Sequence, residues 1–256
     1  MPHHKRLPRL FFIPLLGLII LAAGCRPPKP DTDPAQDAKA MALALAARKK
    51  HADIFTTKGQ GRLTLMLAHG KERFRLAWAA QAPNRLRLTL LASGHPVETI
   101  AASGKWISIV SHTGRHPPKS ALSTDPDLSP YINLPVHLSD MVNMLLGRFP
   151  LRRFDRAWFA PESPRTVRTS KNFSSLVQEV QFDDDGKIAV LTLLEKANAM
   201  VMRIEYLRYQ VREGRIMPET MRLTDKDGNS LELTLSRILF NPEVKPSVFR
   251  LTGAGS

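Results

Sequence analysis

The chain has a single cysteine, Cys25. An internal disulfide is therefore excluded, and the fold must hold by packing and hydrogen bonding. Acids are few: 23 Asp and Glu stand against 37 Lys and Arg, for a net charge of +14. Such a balance suggests an anionic partner, either a membrane surface or a nucleic acid. A long apolar run is also missing. The N-terminal one, Leu10 to Ala23, contains Pro14 and Gly17 and is shorter than the roughly 20 residues a spanning helix needs. No Gly-x-Ser-x-Gly elbow, phosphate loop or dinucleotide fingerprint occurs, so nothing in the chain argues for an enzyme or a cofactor.

What is present begins with Lys5, Arg6 and Arg9 ahead of that apolar run, which ends in small residues. This is the pattern of a cleaved signal peptide rather than a retained helix. Leu21-Ala22-Ala23-Gly24-Cys25 resembles a bacterial lipobox, in which the cysteine thiol is acylated and becomes the new N-terminus. Residues 1–24 then read as a lipoprotein signal peptide and Cys25 as the lipid anchor; the bland alternative is an ordinary secretory signal with a chance cysteine. Cleavage removes three cations and no acid, leaving +11 on the mature chain. With a membrane alongside, anionic lipid is the economical partner, and export takes the chain away from nucleic acid. Arg26 follows Cys25 where an inner-membrane lipoprotein usually has Asp, so the expected address is the outer membrane, with the domain facing the periplasm.

Residues 25–37 include Pro27, Pro28, Pro30 and Pro34 and read as an extended tether. Residues 38–256 read as one domain. Ala38 to Ile54 is alanine-rich with Arg48-Lys49-Lys50 near its end, a helix whose last turn suits cations. From Gly59 the apolar period becomes two, and five segments follow: Leu63 to Leu67, Phe74 to Trp78, Arg85 to Leu91, Val97 to Ala102 and Trp106 to Ser111. Short turns between them predict an antiparallel meander. Thr113 to Pro135 reads as a loop. Met141, Met144, Leu145 and Leu146 predict a helix begun around Leu138-Ser139-Asp140 and ended by Gly147. The last third predicts strands at Ser175 to Phe182, Ile188 to Leu194, Met200 to Val211, Ile216 to Thr224 and Ser230 to Leu239, for about ten in all.

Several motifs have two readings. Asp225-Lys226-Asp227-Gly228-Asn229 resembles the start of a calcium loop but lacks the distal Glu and sits between strands, so a hairpin turn is preferred; Asp183 to Asp185 is read alike. His112 and His116 are four apart in a Gly- and Pro-containing segment that cannot be a helix, so no metal site is expected. Arg73, Arg75, Arg85 and Arg87 alternate with apolar residues on neighbouring strands and should share a face. That face is either ordinary solvated surface or a patch for membrane or an acidic partner. Met141, Met144 and Met200 to Met202 either pack a core or line an adaptable cavity.

The lipobox, tether, leading helix and Gly61-Arg62-Leu63 opening a meander together resemble the LolB outer-membrane lipoprotein receptor and its relatives. Asn84-Arg85-Leu86-Arg87-Leu88 resembles that family's third-strand segment, and Leu134-Pro135-Val136-His137-Leu138 with Met141 to Pro150 resembles its Pro, apolar helix, Leu-Gly and Pro segment. The resemblance runs from about Gly59 to Leu239. It implies the LolA/LolB fold: a mainly β protein with some α, an incomplete antiparallel barrel closed by a few helices around an apolar cavity for acyl chains. Leu65, Leu76, Trp78, Leu88, Met141, Met144 and Leu145 are the candidate cavity residues. The implied role is a monomeric receptor or carrier that takes lipoproteins from a LolA-like periplasmic carrier and delivers them to the outer membrane, with no bond made or broken. In the family, an exposed Leu before a Gly in the loop after the third strand serves membrane insertion. Here the loop reads Ala92-Ser93-Gly94-His95, so Ser93 takes that place and the role does not carry over to it. Leu90 and Leu91 are the nearest apolar residues. Phe240 to Leu251 resembles the C-terminal ends of wider relatives with the same half-barrel. The alternative reading is a structural envelope lipoprotein that uses this fold to hold a protein partner.

Overall fold

The computed structural model describes residues 33–68, 70–195 and 198–251. The expected signal peptide, Cys25 and the tether as far as Asp31 and Thr32 lie outside the described residues, as does His69 of the first hairpin.

The leading helix α1 (Pro34–Lys49) starts four residues earlier than the alanine-rich stretch suggests, because Pro is well suited to the first helical turn, where its missing N–H costs nothing. Pro34 to Asp37 of the expected tether are therefore helical. The helix ends at Lys49 rather than Ile54, and His51 just beyond it has a left-handed φ of 57°. Ala40, Ala44 and Ala47 form its buried stripe. Side chains this small let the helix lie close against Ala157 and Val167.

Thirteen strands follow in one antiparallel sheet. The first six, β1 (Thr56–Leu67), β2 (Gly70–Gln81), β3 (Arg85–Ala92), β4 (His95–Ser103), β5 (Trp106–Ser111) and β6 (Lys119–Leu122), meander outward. Helices α2 (Ser129–Ile132) and α3 (Leu138–Leu145) intervene. The chain then returns through β7 (Arg156–Ala160), β8 (Ser163–Ser170), β9 (Val177–Phe182), β10 (Ile188–Leu194), β11 (Met200–Arg212), β12 (Arg215–Asp225) and β13 (Ser230–Phe240). Pairing of β13 with β1 joins the two meanders, and β6 and β7 remain as the two edges. The result is an open, mainly β half-barrel with few helices, as the sequence resemblance implied. Strongly twisted sheets of this width must curl, and bulges such as those at Gln60/Gly61 and Leu90/Leu91 help them do so.

Alternation sorts the strands into an inner and an outer face. Inside, Leu63 pairs with Phe74 and Leu233, Leu65 with Leu231, and Leu88 with Trp78 and Ile100. These residues belong to one apolar core that also holds Leu138, Met141, Val142, Met144 and Leu145 of α3. Helix α3 is buried on nearly every side because it lies inside the curl of the sheet. Its start is fixed from a distance: Asp125 accepts from the Ser139 N–H (2.8 Å) and hydroxyl (2.9 Å), while Asp140 accepts from the His137 N–H (3.4 Å). Beyond its end, the Arg148 guanidinium donates to the carbonyls of His51, Ala52 and Ile54, tying the inner helix to the elbow between α1 and β1.

The stretch from Thr113 to Pro135 is not a plain loop: it contains β6 and α2. Strands β7 and β8 also add to the expected set. Among the described residues no helix is long and apolar enough to cross a membrane.

Candidate functional site

The inner wall is organised around Trp78. Its indole lies over Gly59 and Gly61 of β1, and a Cβ on Gly59 would stand 2.2 Å from the ring. The indole N–H donates to Thr57 Oγ1 (3.2 Å), and the Thr57 hydroxyl donates to the Leu145 carbonyl (3.0 Å) at the end of α3. Sheet and helix are thereby joined through a fully satisfied buried polar chain.

Beside this contact a cavity of about 220 Å³ remains between β1 to β4 and the helices. Of the seven residues proposed from sequence, Leu65, Leu88 and Met141 line it. Leu76, Trp78, Met144 and Leu145 lie in the packed core next to it. Sequence reasoning missed Leu63, Leu90, Leu128, Tyr131 and Ile132, which also line the space. The last three stand at i, i+3 and i+4, a helical spacing that was readable inside the presumed loop. One side of the cavity is polar, formed by Glu72, Glu98 and Arg115. Arg115 sits 3.9 Å from Glu72, and His116 3.5 Å from Glu98, so the β5–β6 connection folds over that end. The site has an apolar interior with a charged rim, an arrangement suited to an amphiphile.

Arg73, Arg75, Arg85 and Arg87 lie on the opposite, outer face. Arg75 pairs with Arg62 and Arg73 with Thr64 across to β1, while Arg85 and Arg87 stand opposite Gln81 and Ala79. Arg85 donates to Gln81 Oε1 (3.3 Å) and Arg87 to the Val248 carbonyl (3.2 Å). None of the four has an ion-pair partner among the described residues. At the β3–β4 turn, Ser93 and Gly94 take left-handed φ values of 49° and 85°. Leu90 points into the core and Leu91 is half-buried on the outer face, so neither stands at the tip.

The acidic turns are accounted for by their own backbones. Asp225 accepts from the N–H groups of Asp227 and Asn229 (2.9 Å each) and from the Asn229 amide (3.0 Å). Asp183 accepts from the Lys187 N–H (2.7 Å). His112 bonds Thr99 Oγ1 at 2.9 Å, and no cluster of ligating side chains occurs among the described residues.

The described residues thus form an open antiparallel half-barrel wrapped around an apolar core and a small cavity. No family model matches the chain, and no curated protein matches it in sequence. Solved structures do share its architecture. A DUF1329 family protein from Desulfovibrio piger superposes with a TM-score of 0.56 at 9% identity, covering 86% of this chain and 99% of that one. The LolA superfamily protein NE2245 from Nitrosomonas europaea gives 0.52 at 11%, covering 83% and 97%. A domain assigned to outer-membrane lipoprotein sorting from Vibrio parahaemolyticus gives 0.51 at 11%, covering 84% and 96%. At these identities the likeness is one of fold alone, shared with a LolA superfamily protein among others, and it does not single out LolB.

Proposed function

We propose that this protein is a lipid-anchored outer-membrane lipoprotein whose half-barrel binds acyl chains, acting as a receptor or carrier in delivery of lipoproteins or other lipids to that membrane. The observation that carries the reading is the apolar cavity inside a LolA-type half-barrel, between inner-face leucines and Met141. Cys25 supplies the anchor, and the proline-rich segment after it gives the domain reach. An acyl chain enters with its head at the Glu72, Glu98 and Arg115 rim and its tail among Leu65, Leu88 and Met141. The cargo passes through without chemistry.

The small cavity favours attention to the second reading. About 220 Å³ is below the roughly 300–1,000 Å³ typical of small-molecule pockets. A half-barrel so nearly filled by its own side chains suits a structural lipoprotein that binds a protein partner. Native mass spectrometry on the chain from Pro34 to Ser256, purified and then offered an acylated peptide, separates the two. Lipid or peptide retained in the protein is the expected result. A chain that is empty and refuses the peptide overturns the carrier reading and leaves the structural one.

A further inference from the structure

A larger groove lies on the outer face of the sheet. Its volume is about 690 Å³, against about 220 Å³ for the inner cavity. Across it runs the C-terminal 3-10 turn Pro246–Phe249, packed against β3 and β4 with Phe249 buried. Lys58, Arg87, Arg212 and Arg237 contribute four cations to the lining, and no acid lines it. The floor is apolar, formed by Ala77, Ala79, Leu239 and Val248, with Leu239 61% exposed. Glu243 comes near through its main chain, whose carbonyl accepts from Lys58 Nζ at 2.9 Å.

Two further details point to a ligand. The Arg212 Nη2 group donates to the Ser236 carbonyl, but its Nε–H is buried and has no hydrogen-bond partner among the described residues. Such a group is costly to leave unpaired. The Arg237 side chain makes no hydrogen bond or ion pair with a described residue, although it lines the same groove. Guanidinium groups are the side chains best matched to phosphate oxygens.

We propose that this outer groove binds the phosphate headgroup of an anionic phospholipid, with the glycerol and upper acyl stem lying on the alanine and leucine floor. The apolar floor selects an amphiphile over a bare anion, because inorganic phosphate would leave Leu239 and Val248 exposed to water. Apolar surface beside cations, as Leu239 lies beside Arg237 and Lys58 in this groove, is what a domain resting on an anionic bilayer requires. The proposal sharpens the basic face read from the sequence: among Arg73, Arg75, Arg85 and Arg87, Arg87 alone lines this groove.

The test uses the chain from Pro34 to Ser256, one compact unit, in sedimentation with phosphatidylcholine vesicles lacking or containing phosphatidylglycerol. Binding is expected only to the anionic vesicles. Arg237→Glu, which breaks no side-chain hydrogen bond or ion pair with a described residue, should weaken it by at least about tenfold, while Arg73→Glu, on the same face outside the groove, should cost less than about threefold. Arg212→Gln, which deletes the unpaired Nε–H, should also weaken it. Equal losses from Arg237→Glu and Arg73→Glu would mean diffuse attraction and overturn the site. Binding of inorganic phosphate with no binding to vesicles would assign the groove to a free anion, and binding of neither would remove it. Acyl uptake by the inner cavity should be unchanged in Arg237→Glu, so this proposal and the carrier reading fail separately.

Discussion

Gly59 shows how a single residue without a side chain sets the geometry of the inner wall. A Cβ there would meet the Trp78 ring at 2.2 Å and the Arg237 carbonyl at 2.4 Å. Neither can yield cheaply, since one is a ring held by a hydrogen bond to Thr57 and the other is backbone in a paired strand. Overpacking of this kind costs about 1–3 kcal/mol and sometimes more. Gly59→Ala should therefore lower the urea midpoint with an unchanged slope, and it should do so more than Gly186→Ala, whose Cβ would meet nothing within 4 Å but whose φ of 74° still carries strain. Gly59 carries no left-handed φ, so a cost no larger than that of Gly186→Ala would show that the Trp78 ring and the Arg237 carbonyl yield to the added methyl. Sequence alone gives Gly59 as the residue where alternation begins; it does not show which indole lies on it, because that contact depends on the register between β1 and β2.

At the scale of elements, legibility followed burial. Strands with one face in the core, such as Leu86, Leu88 and Leu90 of β3, announce themselves by alternation. Strands at or next to a sheet edge do not. Every residue of β6 is exposed, and β8, Ser-Pro-Arg-Thr-Val-Arg-Thr-Ser, offers Val167 as its lone large apolar side chain. Both exist because a neighbour pairs with them, which is information a local pattern lacks. The same holds for the start of α3, where Asp125 reaches back from the preceding segment. That cap leaves Asp140 in the first turn, 7% exposed. Burial pushes its carboxyl above the ordinary value, against the opposing pull of Arg152 and the His137 N–H. A carboxyl that holds its proton more tightly folded than unfolded costs stability at neutral pH, and the cost fades as pH falls through the folded value toward the ordinary one. Asp140→Asn keeps an oxygen for the His137 N–H but carries no charge. Its thermal midpoint should exceed that of the parent chain by most near about pH 7 and by least near about pH 4. A difference that stays constant across that range would place the cost of Asp140 in packing rather than ionisation.

On the scale of the whole molecule, two meanders joined at β1 and β13 leave the half-barrel open between β6 and β7, with α2 and α3 inside the curl. The leucine face of such a site could be read from sequence, but its occupancy could not, because volume depends on how far α3 sinks toward the sheet. With about 220 Å³ free, an acyl chain gains roughly 0.8 kcal/mol for each methylene it buries only if the helix side of the cavity gives way. Met141 sits at that boundary, 2% exposed and lining the cavity from α3. Methionine adapts its shape easily; tryptophan does not. Met141→Trp should occupy the free space at a cost of about 1–3 kcal/mol in stability and abolish acyl uptake. The readout is the shift in thermal midpoint on adding an acylated peptide, which grows with the logarithm of ligand over Kd. The parent chain should shift and Met141→Trp should not, while Arg73→Gln on the outer face should shift like the parent. If Met141→Trp folds and still shifts fully, acyl chains are not entering between α3 and the leucines of β1 and β3, and the cavity is a packing void of a protein whose ligands bind elsewhere on the sheet.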